Sequence, residues 1–271
     1  MRALSRSAPI DSTQRTVAIF DVLGVKAQIL SGQSAQLVSN YQTLIYNAQT
    51  YCYNRYPSNG RRSIFLTEPP PCLLSVFSDT ILIISSDETF DSALETIRLS
   101  WRILQTFISN GLALRGGLAF GEMFIDQSDQ IVVGNAITTA HLLEQSQKWA
   151  GCAIDQSFLE RFPLRIWSER SLDDVVQIIL PMVEVPTKQG TLVANCINWS
   201  AELTIESGLI NDMLRCYQVD SVEDLHPYLQ ETLSFRRSHS WFWKDRENQP
   251  SECGRLWVGD TMPPFPDGDT K

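Results

Sequence analysis

The sequence lacks the marks of a membrane-spanning, disulfide-linked or basic protein. It has 22 Lys and Arg against 31 Asp and Glu, a formal net charge of −9 in 271 residues, which disfavours binding to nucleic acid or anionic lipid. No apolar run approaches the roughly 20 residues needed to cross a bilayer. The six cysteines form no CxxC pair and no zinc-like spacing with the three histidines. We therefore expect a cytoplasmic protein in a reducing compartment, with no membrane and no nucleic acid among its partners.

The apolar pattern predicts alternating strands and helices, without internal repeats or Gly/Ser linkers. The order β, α, β, β, α, β, β, α predicts an α+β fold, a mostly antiparallel sheet with helices on one face. The predicted segments are strand 16–22, helix 34–56, hairpin 73–77 and 80–84, helix 89–109, strands 112–120 and 131–133, helix 135–148, and hairpin 175–185 and 191–197. We predict a loose lead over 1–14, one domain over 15–198, and a helical or irregular extension over 199–271 packed on that domain or its dimer.

Two aspartates are predicted where apolar strands end. Asp21 closes the first strand, and Asp79 lies at the tip of the hairpin. If these strands are neighbours, both carboxylates emerge at one edge of the sheet, where hard oxygen ligands suit divalent ions that bridge nucleotide phosphates. An aspartate at a turn often serves turn geometry alone. Gly24 favours the functional interpretation, because a glycine lets backbone amides approach phosphates.

Four motifs together resemble the class III nucleotidyl cyclases over residues 17–154. They are FDVLG (20–24), FSDTILII (77–84), LRGGLAFGEM (114–123) and VVGNAITTAHLLE (132–144). The resemblance implies a ferredoxin-like cyclase catalytic domain. It also implies a homodimer whose active sites are shared between the two subunits.

The resemblance assigns roles to individual residues. Asp21 and Asp79 would bind two metal ions, helped by the backbone carbonyl of Val22. The stretch Val22 to Val25 would cradle the phosphates. The expected substrate contacts in the first motif are Phe20, Val22, Leu23 and Gly24.

Some positions depart from the adenylate cyclase pattern. Ser75 and Ile131 stand where those enzymes hold adenine with a lysine and an aspartate, so an ordinary adenylate cyclase is not expected. Thr138 and Leu142 stand where an asparagine and an arginine serve ribose and transition-state charge. Ser75 and Thr138 remain substrate-binding candidates. Arg115, beside two glycines that would permit close ligand approach, is a candidate phosphate or transition-state cation, or else part of a structural ion pair.

The DxLG form of the first motif, the RGG strand and the C-terminal extension are most similar to the bacterial anti-phage pyrimidine cyclases of Pycsar systems. This resemblance implies that UTP or CTP is converted with Mn²⁺, or with Mg²⁺, to cyclic UMP or cyclic CMP. The product would act on a separate effector protein in antiviral defence. The residues themselves do not separate uracil from cytosine, and the preference for UTP comes from the resemblance.

Other functions stay open. A cytidylate or purine cyclase would use the same fold. A catalytically inactive nucleotide-binding sensor is favoured by the missing asparagine–arginine pair, and disfavoured by the two retained aspartates, because buried unpaired carboxylates are costly without a cation. A nucleic-acid-binding domain would need basic and aromatic residues on its strands, and these strands are aliphatic.

Overall fold

The structure is a computed structural model that describes residues 12–30, 32, 34–54, 72–110, 112–126, 131–164, 166, 178–199, 214, 219–225 and 227–238. Its elements, in chain order, are β1 (Thr13–Val22), α1 (Val25–Leu30), α2 (Ser34–Asn54), β2 (Cys72–Phe77), β3 (Thr80–Ser85), α3 (Phe90–Ser109), β4 (Leu114–Asp126), β5 (Ile131–Gly134), α4 (Asn135–Ser146), β6 (Gly151–Ile154), α5 (Gln156–Arg161), β7 (Ile179–Thr187), β8 (Gly190–Ile197), a 3-10 turn (Val222–Asp224) and α6 (Pro227–Ser238). None of the helices described is long and apolar enough to cross a membrane.

The strands form one sheet in the order β2-β3-β1-β4-β6-β8-β7, with β5 paired to β4. The pairing of β4 with β6 is parallel and the other strand pairings are antiparallel. The predicted α+β class and mostly antiparallel sheet are therefore confirmed. Thr13 and Gln14, which we predicted to lie in the lead, belong to β1, and residues 1–11 of that lead lie outside the described residues.

Both faces of the sheet are covered by helices. Ala18, Phe20 and Val22 of β1 point into the larger core, together with the buried residues of α2 and α3. Val17 and Ile19, on the other face, belong to a second core that includes Ala136 and Ala140 of α4. The prediction that helices lie on one face is therefore wrong for α4. A strand that is apolar on both faces must be covered on both.

The glycines of the RGG motif serve packing. A Cβ on Gly116 would lie 2.3 Å from Cδ1 of Phe20, and a Cβ on Gly117 would lie 2.2 Å from the carbonyl oxygen of Ala140. The ring of Phe20 fills the first space, on one face of the sheet, and the backbone of α4 fills the second, on the other face. The expectation that both glycines leave room for a ligand is therefore wrong, and Gly117 instead lets α4 approach the sheet closely.

Helix α6, in the C-terminal extension, is joined to the same core. Leu229 and Leu233 lie in the larger core. The hydroxyl of Thr232 accepts a hydrogen bond from the amide of Ala150 at 2.6 Å. The rings of Trp149 and Phe235 pack with centroids 4.2 Å apart. The region after β8 thus includes a helix that packs against the sheet.

Candidate active site

Asp21 and Asp79 lie at the same edge of the sheet. In the antiparallel pairing of β1 with β3, Asp21 is opposite Thr80, the residue that follows Asp79. The amide of Val22 donates a hydrogen bond to the carbonyl oxygen of Asp79 at 2.8 Å. The hairpin tip is thus fastened to the end of β1, and the strand adjacency we expected is present.

The hairpin turn itself is tight. Only Ser78 and Asp79 connect β2 to β3, and Ser78 has a φ of 55°, in the left-handed region that two-residue hairpin turns use. Ser78 is exposed, and Asp79 is half-buried. The turn therefore holds Asp79 close against the body of the sheet.

Arg115 lies beside Asp21 on the neighbouring strand. The two residues are directly opposite each other in the pairing of β1 with β4, and directly opposed residues share a face of a sheet. Nη2 of Arg115 is 3.3 Å from Oδ2 of Asp21. The side chain of Arg115 is 10% exposed and that of Asp21 is 29% exposed, so this contact is nearly removed from water on the arginine side.

A second acid holds the arginine more closely. Nε of Arg115 donates to Oε1 of Glu144, from α4, at 2.5 Å, and the Glu144 side chain is 2% exposed. Nδ1 of His141 is 3.5 Å from the other carboxylate oxygen of Glu144, Oε2. The ring centroid of Tyr228, from α6, is 5.6 Å from Cζ of Arg115. We call Asp21, Arg115 and Glu144 the arginine cluster.

The cluster and its surroundings carry more negative charge than one arginine neutralises. Burial raises the pKa of Asp21, the positive charge of Arg115 opposes the rise, and the negative charge of Asp79 adds to it. Burial also raises the pKa of Glu144, against the effect of Arg115. A cation bound between Asp21 and Asp79 would relieve their repulsion.

The donors at this edge fit a divalent ion that retains water. Within the described residues, no group of three or more His, Cys, Asp and Glu side chains is arranged to hold a metal. The hard donors available are the carboxylates of Asp21 and Asp79, with backbone carbonyls beside them. Mg²⁺ and similar ions bind in this way, through one or two carboxylates, several waters and substrate phosphates.

The predicted phosphate cradle is partly occupied by the fold. The amide of Val22 is bonded to Asp79, and the amide of Leu23 donates to the carbonyl oxygen of Ala113 at 2.9 Å. Val22 is buried and Leu23 is half-buried, while Gly24 is exposed with a φ of 85°. The first two amides of the stretch therefore hold the loop in place, and Gly24 is the exposed part of it.

The other candidates lie apart from the aspartates. Phe20 is fully buried in the core on the face opposite Asp21. Ser75, in the middle of β2, is half-buried and opposite Leu82. Thr138 is exposed on α4, and its hydroxyl donates to the carbonyl oxygen of Gly134 at 3.1 Å. The substrate-binding role of these residues stays a prediction, and the packing of Phe20 leaves its side chain no free surface.

The sequence alone predicts no role for Glu144, His141 or Tyr228. A signal for Glu144 was present in the sequence: the buried residues of α4 are Ala136, Ala140 and Glu144, spaced four apart. An acid that continues a buried helical stripe needs a cationic partner. Nothing in the local sequence around Tyr228 points to Arg115.

No protein-family model matches the sequence, and curated proteins give no match. Among solved structures, the chain is similar to the catalytic core of a rhodopsin-guanylyl cyclase with converted specificity, in complex with ATPαS (12% identity, 69% of this chain and 96% of that one, TM-score 0.48). It is also similar to a bacterial light-regulated adenylyl cyclase (13%, 78% and 59%, 0.44) and to an adenylate/guanylate cyclase/hydrolase from Silicibacter pomeroyi (13%, 69% and 98%, 0.41). Identities and TM-scores this low decide neither family nor activity.

Proposed function

We propose that the chain is a class III nucleotide cyclase that converts a nucleoside triphosphate into a 3′,5′-cyclic nucleotide and diphosphate. The observation that carries this proposal is the adjacency of Asp21 and Asp79, held together by the hydrogen bond from Val22. The four motifs that resemble this family support it, because they supply both acids and Arg115 in the expected order.

In this proposal the two aspartates hold divalent ions, and Gly24 faces the phosphates. The bound ions would activate the 3′-hydroxyl and stabilise the charge of the leaving diphosphate. The 3′-oxygen forms a bond to the α-phosphorus, the bond from that phosphorus to the bridging oxygen breaks, and the hydroxyl proton passes to water. Arg115 lies beside Asp21 and adds positive charge next to the reacting phosphates.

We further propose a pyrimidine substrate, UTP in preference to CTP, with Mn²⁺ as the favoured ion. Ser75 and Thr138 offer hydroxyl groups at the positions of the family's base and ribose contacts, and Ile131, at the other adenine position, is an exposed apolar residue that cannot hydrogen-bond adenine. The resemblance to anti-phage cyclases supports a homodimer with shared sites and a product that acts on a separate effector in the cytoplasm. A cytidylate or purine cyclase is the alternative within this fold.

A nucleotide-binding sensor without activity is the second candidate. It is favoured by Leu142, which is 61% exposed at the position of the family's transition-state arginine, and by the two acids that already engage Arg115. In that case the site would bind nucleotide and metal without turnover.

The test is to incubate the purified protein with Mn²⁺ and each of ATP, GTP, CTP and UTP, and to separate the products by chromatography with mass detection. Wild type is expected to make cyclic UMP or cyclic CMP. Asp79→Asn should lower product formation at least about 100-fold, because metal-held charge stabilisation is worth several kcal/mol. Glu184→Gln, an exposed acid on the distant strand β7, is the matched control and should retain activity. Nucleotide binding without any product would favour the sensor.

A further inference from the structure

The positive charge of Arg115 is shared unequally between its two acids. Its Nε is 2.5 Å from Glu144, whereas its Nη2 is 3.3 Å from Asp21. Both contacts are charge-assisted hydrogen bonds, and the contact with Glu144 is the more buried of the two, so Glu144 is the main partner of the arginine. Asp21 has the weaker contact and also the more exposed side chain, 29% against 2% for Glu144.

We propose that Glu144 is a positioning residue that limits Arg115 to a single, longer contact with Asp21 and so keeps the Asp21 carboxylate available to a divalent ion. The inference rests on the proposed function in one respect, that Asp21 is a metal ligand. A nearly buried guanidinium requires a counter-ion, because an unpaired buried charge is costly. Without Glu144, the remaining acid that contacts Arg115 among the described residues is Asp21. A fork of two parallel N–H donors on its carboxylate would compete with a metal ion for the same oxygens.

The backbone fixes this arrangement. The absence of a side chain on Gly117 lets α4 lie against β4, where a Cβ would be 2.9 Å from the amide nitrogen of Glu144. Glu144 follows Ala136 and Ala140 on the buried stripe of the helix, and its side chain is 2% exposed. Glu144 therefore cannot move away with the arginine, and the share of positive charge left to Asp21 is set by the position of the helix.

Two other basic side chains near Asp21 are more open to water than Arg115. His141 and Lys188 both act electrostatically on Asp21. The His141 side chain is 50% exposed, and Lys188 is exposed on the turn between β7 and β8. The charge of Lys188 is screened by water, whereas Arg115 is enclosed.

The experiment is a titration of Mn²⁺ into nucleotide-free protein, followed by the electron paramagnetic resonance signal of free Mn²⁺. The proteins are wild type, Glu144→Gln, Glu144→Asp, the double variant Glu144→Gln/Arg115→Met, and Glu184→Gln as a control. Loss of a group that orients a metal ligand typically costs 10–100-fold in affinity, so we expect the Kd of Glu144→Gln to rise by about tenfold or more. Glu144→Asp keeps the negative charge on a side chain that is shorter by one methylene, so its Kd for Mn²⁺ should rise less.

The double variant is decisive. Without Arg115, no guanidinium competes with the metal ion for Asp21. The Kd of the double variant for Mn²⁺ should therefore return to near the wild-type value, although Glu144 is still absent. A double variant as weak as Glu144→Gln would overturn the inference, and so would a Glu144→Gln affinity equal to wild type. Thermal melting without metal identifies variants that fail to fold, and Glu144→Asp then carries the test.

The product assay separates this inference from the proposed function. A wild type that binds Mn²⁺ and shows the expected pattern of affinities without making any cyclic nucleotide would support the role of Glu144 and contradict the cyclase. If wild type forms product and Glu144→Gln binds Mn²⁺ as tightly as wild type, the cyclase is supported and the role of Glu144 is contradicted. A wild type that does not bind Mn²⁺ would overturn the inference.

Discussion

Phe20 and Asp21 are neighbours in β1, yet their side chains lie on opposite faces of the sheet and in opposite surroundings. Phe20 is enclosed by apolar side chains, with α2 and α3 covering that face. Asp21 lies on the face covered by α4, beside Arg115 and close to Glu144. One face thus holds the sheet together by apolar burial, while the end of the other face carries acids that Arg115 neutralises only in part.

The largest effect on stability is expected on the Phe20 face. Phe20→Ala would leave a cavity over Gly116, and such truncations cost about 3–5 kcal/mol of unfolding free energy. Denaturant unfolding measures this loss. Phe20→Leu, which retains most of the volume, is the control and should lose less. Equal stability of Phe20→Ala and wild type would contradict a stabilising role of the Phe20 ring in this core.

A smaller loss of stability, joined to a loss of Mn²⁺ affinity, is expected on the face covered by α4. Gly117→Ala would place a Cβ against the backbone of α4, at 2.2 Å from the carbonyl oxygen of Ala140. Overpacking of this kind costs about 1–3 kcal/mol, and here it would also push Glu144 away from Arg115. Unfolding and Mn²⁺ titration on the same protein measure both effects. Gly190→Ala is the control: nothing lies within 4 Å of the added Cβ, but a φ of 127° strains an alanine, so this variant should lose stability and keep the wild-type metal affinity.

The smallest effect on stability is expected at Asp21. Its ion pair is partly exposed, and such pairs contribute about 0–1 kcal/mol. The pKa of Asp21 is raised in the folded protein, so the folded state holds the proton more tightly than the unfolded chain does. Stability from this group is therefore present at low pH and is lost as pH rises from the ordinary aspartate value of 3.8 through the raised folded value.

Asp21→Asn should remove this pH-dependent part without lowering stability at neutral pH. Unfolding of both proteins across that pH range, with a chelator present, measures the difference. Asp224→Asn, an exposed acid in the 3-10 turn, is the control and should keep the wild-type slope. If the free energies of unfolding of wild type and Asp21→Asn changed in parallel over this pH range, the raised pKa of Asp21 would be contradicted.

The local elements could be predicted because their signals are local. The hairpin around Ser78 and Asp79 follows from two apolar runs separated by two polar residues. Helix α3 begins where its capping residue stands, with the Thr89 hydroxyl accepting from the amide of Ser92 at 3.3 Å. The adjacency of Asp21 and Asp79 then required only that β1 and β3 be neighbours.

The rest depends on contacts distant in sequence. The bond between Arg115 and Glu144 joins residues 29 positions apart, and the sequence pattern does not say which face of the sheet α4 covers. The motif VVGNAITTAHLLE places Glu144 at the end of a predicted helix and says nothing of the residue that it pairs with. The glycines of the RGG motif show the same difficulty, since a glycine that admits a ligand and a glycine that admits a helix look alike in sequence.

The contact between Tyr228 and Arg115 has a consequence for the order in which the protein is completed during synthesis. Chains are made from the N-terminus, and the β1–β4 part of the sheet can form before α6 has left the ribosome. Arg115 gains its aromatic neighbour, and Ala150 its hydroxyl acceptor from Thr232, only after α6 has emerged. A nascent chain with both aspartates already synthesised therefore still has an arginine open on that side, and the surroundings of Arg115 are completed only by a helix that is translated well after it.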